Sequence, residues 1–195
     1  MNRTLLRKLL YPALLLTIFA LLTGLFLSGK ISTVALFGIA LGLFLLGRLI
    51  NYPIRHFYQG LHAFKQQKLD EAERLFHTFL ERVEHRPWIK HLVWWSFGVY
   101  TFDLEAMAWN NLGAIYIRQG RLPEAKKCLE KAIALDPKYP KPFFNLAVSA
   151  IGEGQTELAA QYFEQAKKLG YAGGAFDQFL TTIQEEYAKV NAKLN

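Results

Sequence analysis

Apolar residues follow two regimes along this chain. From Leu9 to Gly29 the run LLYPALLLTIFALLTGLFLSG carries no charge, and from Ile31 to Ile50 the only charged residue is Arg48. Runs of about 20 apolar residues, rising 1.5 Å each as helix, match a hydrocarbon core of about 30 Å. They predict a hairpin of two transmembrane helices within residues 1–52, with spans about 9–29 and 31–50. Beyond Asn51 the pattern changes, and apolar residues recur every three or four positions between polar ones. That spacing predicts amphipathic helices, each buried along one stripe.

The flanks fit the hairpin. Pro12 falls in the first turn of the first span, where a missing N–H costs least. Tyr11, Arg48 and Tyr52 sit where aromatic and cationic side chains meet headgroups. Gly38 and Gly42 form a GxxxG, with Ala20 and Gly24 opposite, a pattern that hairpin packing and dimerisation explain equally well. A cleaved signal peptide is the competing reading, but no small-x-small site follows and a second apolar run comes at once. Arg3, Arg7 and Lys8 precede the first span, and Arg48, Arg55, Lys65 and Lys68 follow the second, against Lys30 alone between them. The positive-inside rule then places both termini in the cytoplasm and predicts a two-span protein of the cell inner membrane.

The polar part repeats. Residues Ala106–Pro137 read AMAWNNLGAIYIRQGRLPEAKKCLEKAIALDP. Trp109, Leu112, Gly113 and Tyr116 share a face of one helix, Gly120 ends it, Pro123 opens the next, and Ala125, Leu129 and Ala132 line the face that packs back. A shift of 34 residues repeats the pattern at Phe143, Leu146, Ala147, Gly154, Ala159, Phe163 and Ala166. A shift of 53 the other way finds Gly60, Ala72, Phe76 and Phe79, with Pro87–Glu105 as a 19-residue insertion. The pattern W-x-x-L-G-x-x-Y…A-x-x-x-[FL]-x-x-A…P resembles the tetratricopeptide repeat, most fully in the middle unit. The predicted fold is all-α: the hairpin, a degenerate unit at 53–86, the aromatic insertion at 87–105, units at 106–139 and 140–173, and a capping helix at 174–195. The resemblance, extended by the apolar hairpin, suggests a membrane-anchored bacterial type.

The resemblance implies a ligand groove on the first helix of each pair. Here that means Asn110, Asn111, Ala114 and Ile117, then Lys141, Phe144, Asn145 and Val148. Chaperone-binding relatives hold an acidic C-terminus with a clamp of lysine, asparagine and arginine. Asn111 and Lys141 match two of its places; Phe57 and Leu61 in the first unit, and Asn145 in the third, depart from it. That disfavours an acidic C-terminal peptide, and Phe144 and Val148 suit an apolar or helical one. Asn111 and Asn145 carry donors and acceptors fit for an extended backbone. Packing against the cap is the competing role for these residues.

The insertion PWIKHLVWWSFGVYTFDLE holds Trp88, Trp94 and Trp95 among its aromatics. An interfacial segment lying on the membrane is one reading; an extension of the following helix, with the aromatics buried, is the other.

Composition then narrows the function. The net charge is +7, yet residues 1–50 contribute five cations and no carboxylate, leaving 18 Lys and Arg against 16 Asp and Glu. A residual +2 spread over the repeats disfavours nucleic acid as a partner. Cys128 is the only cysteine, which excludes an intramolecular disulfide. The five histidines make no paired metal-ligand spacing, and no phosphate loop or nucleophile elbow appears. The sequence therefore predicts no catalytic residue, no metal and no cofactor. The expected role is a scaffold or adaptor that binds protein and membrane lipid, with a structural subunit of a larger membrane complex as the alternative.

Overall fold

The computed structural model describes residues 3–29, 31–95, 101 and 103–194; the side chains at 3–12, 14–15, 46, 49–51, 93–95 and 189–194 lie outside the description. The helices are α1 (Arg3–Leu27), α2 (Thr33–Lys65), α3 (Leu69–His85), a 3₁₀ helix (Pro87–Trp95), α4 (Leu104–Arg118), α5 (Leu122–Leu135), α6 (Pro140–Gly152), α7 (Thr156–Lys168) and α8 (Phe176–Leu194). No strand occurs among the described residues. The chain divides into two compact units, one of residues 1–55 with 95–99, the other of residues 56–94 with 100–195.

In the first unit, Ser32 starts α2 by accepting the Ala35 N–H at 3.2 Å. Within α1, Thr17 donates to the Ala13 carbonyl and Thr23 to that of Phe19, both at 2.9 Å. These hydroxyls are thus satisfied inside their own helix. Large apolar side chains stand outward: Val34 is 81% exposed, Leu27 78% and Phe37 73%. Among the described residues, however, no helix is long and apolar enough to cross a membrane. The expected spans 9–29 and 31–50 are therefore not supported by the helices as described. Leu14, Leu15, Leu46, Leu49 and Ile50, on which those spans also rest, lie outside the described side chains. A second difference concerns Pro53. The sequence suggests a joint there, but Pro53 lies inside α2, which continues through it.

The second unit is built from helix pairs in one register. Ala72, Ala125 and Ala159 are completely buried. So are Phe76 and Leu129, with Phe163 at 1% exposure. Each first helix ends on a residue with positive φ: Gln67 at 61°, Gly120 at 72° and Gly154 at 74°. The next N–H then reaches back five residues, from Lys68 to Ala63, Arg121 to Tyr116 and Gln155 to Ala150, at 2.8–3.0 Å. This closing bond satisfies a carbonyl at the helix end. Glycine is the usual residue in that conformation, and Gln67 adopts it in the degenerate first unit.

Side chains fill each crossing differently. Phe57 meets Phe76 and Phe79 with ring centroids 5.8 and 5.3 Å apart. In the middle pair the approach is closest. A Cβ on Gly113 would lie 2.6 Å from Leu129 Cδ2 and Cγ, and 3.3 Å from the Ala125 carbonyl oxygen. Asp103 opens α4, accepting from the N–H groups of Glu105 and Ala106 at 2.8 and 3.1 Å. At the far end α8 closes the stack. Phe179 stacks on Phe163 at 4.6 Å, and Phe176, Leu180 and Ile183 pack on a cluster of Ala147, Ala150, Ile151 and Ala159.

Within the insertion, residues 87–95 form a 3₁₀ helix, and α4 starts at Leu104. Ile89 is 2% exposed, whereas Trp88 is 55% exposed. Lys90 is held by Glu105 at 3.2 Å and Asp103 at 3.7 Å, so its ammonium serves the fold. Trp94 and Trp95, expected at a membrane interface, lie outside the described side chains, as does Tyr11. Arg48 is exposed, 6.0 Å from the Phe44 ring, and Tyr52 is exposed with the Arg55 guanidinium 4.7 Å from its ring.

A polar cluster joins α3 to the turn after α4. Glu73 accepts from the Tyr116 hydroxyl at 2.9 Å, from Arg121 at 3.3 Å and from Gln119 at 3.4 Å. Arg121 also lies over the Tyr116 ring at 4.2 Å. Burial pushes the Glu73 carboxyl up, but the bonds from Tyr116, Gln119 and Arg121, with the Arg121 charge, hold it below its ordinary 4.5. A depressed carboxylate contributes stability above its unfolded pKa and loses it as pH falls through the folded value.

Two outcomes follow. Gly113→Ala forces Leu129 aside and lowers unfolding stability by about 1–3 kcal/mol, less the small helix-propensity gain, as read by denaturant titration; in a Leu129→Ala background the same substitution costs less. Glu73→Gln flattens the fall in melting temperature below about pH 4.5, and an acid limb identical to wild type counts against the network.

Candidate functional site

The first helices of the second and third pairs, α4 and α6, run side by side and present corresponding faces. Between them, the end of α2 and α8 lies a cavity of about 860 Å³. All of the expected groove residues line it: Asn110, Asn111, Ala114 and Ile117 from α4, and Lys141, Phe144, Asn145 and Val148 from α6. They come together because helical spacing places 110, 114 and 117 on one face, and the 34-residue repeat does the same on α6.

Within that cavity the side chains differ in what they offer. Asn110 is only 3% exposed, and its Oδ1 accepts from Asn145 Nδ2 at 2.9 Å. These two amides therefore tie α4 to α6, and Asn145 is committed to its neighbour where an extended ligand would need it. Phe144 is also partly spent on the fold. Its ring stacks on Tyr171 at 4.4 Å and meets Phe179 at 5.1 Å. Packing against the cap thus accounts for part of Phe144, while Ala114, Ile117 and Val148 remain half-buried at the wall. Lys141 is exposed, yet surrounding protein desolvates its ammonium and lowers its pKa.

The remaining walls come from residues outside the expected set. Phe64, Gln67 and Leu69 form one side, Arg118, Gln119 and Gly120 the end of α4, and Tyr171, Ile183, Glu186 and Tyr187 the other side. Phe64 was reachable from the sequence, since it stands 53 residues before Ile117, the same shift that aligns the first two units. The resemblance to the clamp puts Phe57 and Leu61 on this face instead. Phe57 is 1% exposed in the core, in the place that Asn110 takes one unit later, and Leu61 is not among the lining residues. The α8 residues had no such signal. Tyr187 reaches the Val148 carbonyl at 3.4 Å and lies where a Cβ on Gly152 would be.

No group of three His, Cys, Asp or Glu side chains that could hold a metal ion occurs among the described residues. Cys128 is buried, and that burial pushes its thiol up to about 11, so it is poorly placed for labelling or for nucleophilic chemistry.

Comparison with known proteins agrees on the repeat. Residues 106–139 and 140–169 each match a model described as tetratricopeptide repeat. Over 88 residues the chain is 30% identical to tetratricopeptide repeat-containing protein trd-1 of Caenorhabditis elegans, covering 45% of this chain and 11% of that protein. The chain therefore spans about a tenth of that relative's length. Among solved structures it is similar to the first TPR of Spaghetti (RPAP3) bound to HSP90 peptide SRMEEVD, with a TM-score of 0.51 and 19% identity, covering 71% of this chain and 94% of that one. These likenesses do not support the bacterial, membrane-anchored type expected from the sequence. They establish tetratricopeptide repeats at 106–139 and 140–169 within an all-helical, solenoid-like fold.

Proposed function

We propose that this chain is a non-catalytic adaptor that holds a segment of a partner protein in the α4–α6 cavity and is anchored in a membrane by α1 and the first part of α2. The observation that carries the binding half is the cavity itself. Matched faces of two tetratricopeptide repeats contribute Ala114, Ile117, Phe144 and Val148 to the wall of about 860 Å³, with the amides of Asn110, Asn111 and Asn145 among them. The structural counterpart named above holds a peptide, which supports a peptide-type partner. The clamp for an acidic C-terminus is incomplete here, because Asn145 is bonded to Asn110 and Phe57 is in the core.

The anchoring half is supported by the outward apolar side chains of α1 and α2 and by hydroxyls satisfied within α1, both suited to lipid. The uncharged runs of the sequence and the basic residues flanking them support two spans with the repeats on the cytoplasmic side of an inner membrane. Arg48, Tyr52 and Trp88 are exposed and available to headgroups. An anchored adaptor of this kind recruits membrane proteins or helps to assemble them.

Both halves are testable in the full chain. A photocrosslinker at Ala114 in native membranes is expected to give discrete adducts that Ile117→Asp abolishes; adducts unchanged by Ile117→Asp overturn the groove. The protein is expected to stay with membranes through alkaline carbonate extraction. With Cys128 replaced by Ser, an impermeant maleimide on intact cells should label Ser32→Cys and leave Glu164→Cys unlabelled. Release by carbonate, or the reverse labelling, refutes the anchor or its orientation.

A further inference from the structure

We infer that the cavity takes an amphipathic helix whose acidic side chain is read by Arg118, an inference that rests on the reading of the cavity as a protein-binding groove. Arg118 ends α4 and is exposed at the cavity's edge. Its guanidinium carbon lies 4.3 Å from the centroid of the Phe64 ring, and one of its nitrogens donates to Gln67 Oε1 at 3.0 Å. Stacking and this bond hold the guanidinium in one orientation while most of its five N–H donors stay unspent. The Gln67 backbone is set by the closing turn of α2, at a φ of 61°.

No ion pair joins Arg118 to a carboxylate among the described residues. The two carboxylates bonded to the adjoining Gln119 have other partners: Asp70 accepts from Gln119 at 3.2 Å, and Glu73 is held by Tyr116 and Arg121. A pre-oriented cation thus stands at an apolar wall without an anionic partner. Charge along the lining has the same sense, with Arg118 and Lys141 against Glu186 alone. The complement is acidic.

The ligand's secondary structure follows from the amides. An extended strand brings unpaired N–H and C=O groups that the groove must satisfy. Asn145 spends a donor on Asn110, and the side chains of Ala114, Ile117 and Val148 offer no hydrogen bond, so of the expected groove amides Asn111 is left with few companions for a strand. A helix satisfies its own backbone and presents only side chains, which suits such a wall. At a diameter of about 10–12 Å, roughly two turns of helix fill this volume.

The experiment is selection from a displayed library of 16-residue random peptides, using the full chain in nanodiscs as wild type, Arg118→Glu and Ile117→Asp. The expected peptides carry apolar residues at i, i+3 and i+4 with Asp or Glu beside them, and bind wild type at least tenfold better than Arg118→Glu. Exchanging their acidic residue for Lys is expected to restore binding to Arg118→Glu. Peptides that need Ile117 but ignore the charge at 118, or that bind only through a free C-terminal carboxylate, overturn this inference and leave the groove standing. If no selected peptide depends on Ile117, the inference and the groove both fall. Circular dichroism of each variant confirms that lost binding is not lost fold.

Discussion

Close approach of paired helices is the constraint on which the second unit depends. Two helices can cross at short distance only where one side presents a hydrogen atom or a methyl group. Gly113 against Leu129 leaves no room for a Cβ, and the fully buried Ala72, Ala125 and Ala159 do the same work once per unit. Because each pair closes at the same point, each first helix emerges in the same orientation and the faces of α4 and α6 line up. The cavity is therefore a consequence of the crossing. It exists because the sides of α4 and α6 away from their partners are left without a covering layer.

The stack is closed at one end and joined within by different means. At α8 the exposed side of the last pair is covered by aromatic stacking, through Phe163, Phe176 and Phe179, at the cost of committing Phe144 and Tyr171. Between α3 and α4 the junction is polar, with Glu73 gathering donors from Tyr116, Gln119 and Arg121. The half-buried Glu73 carboxylate is thereby satisfied, since three side chains converge on it. The same residues shape the neighbouring cavity edge. Gln119 faces both the network and the cavity, and Arg118 beside it is left for something else.

Apolar surface carries opposite meanings in the two units. In residues 56–94 with 100–195 it is turned inward, and few large apolar groups are exposed among the described residues. In residues 1–55 large side chains such as Val34 and Phe37 stand outward, and solvation in water is unfavourable for so many of them. Within α1 the hydroxyls of Thr17 and Thr23 are bonded to carbonyls of their own helix.

Periodicity alone determined the helical units, their register and the faces that meet. Gly113, Ala125 and Leu129, read at helical spacing, already imply the crossing, and the 34-residue shift carries Asn110 and Asn111 onto the face of Lys141 and Phe144. That much is local, since spacing along one helix fixes which side chains share a side. What only the tertiary structure decided is how those side chains spend their hydrogen bonds and their surface. Asn145 turns to Asn110, Phe144 to Tyr171, and Phe57 into the core, while Phe64 moves beneath Arg118. Such choices depend on neighbours brought in from tens of residues away, and on the angle at which α8 returns, which no spacing within a helix encodes.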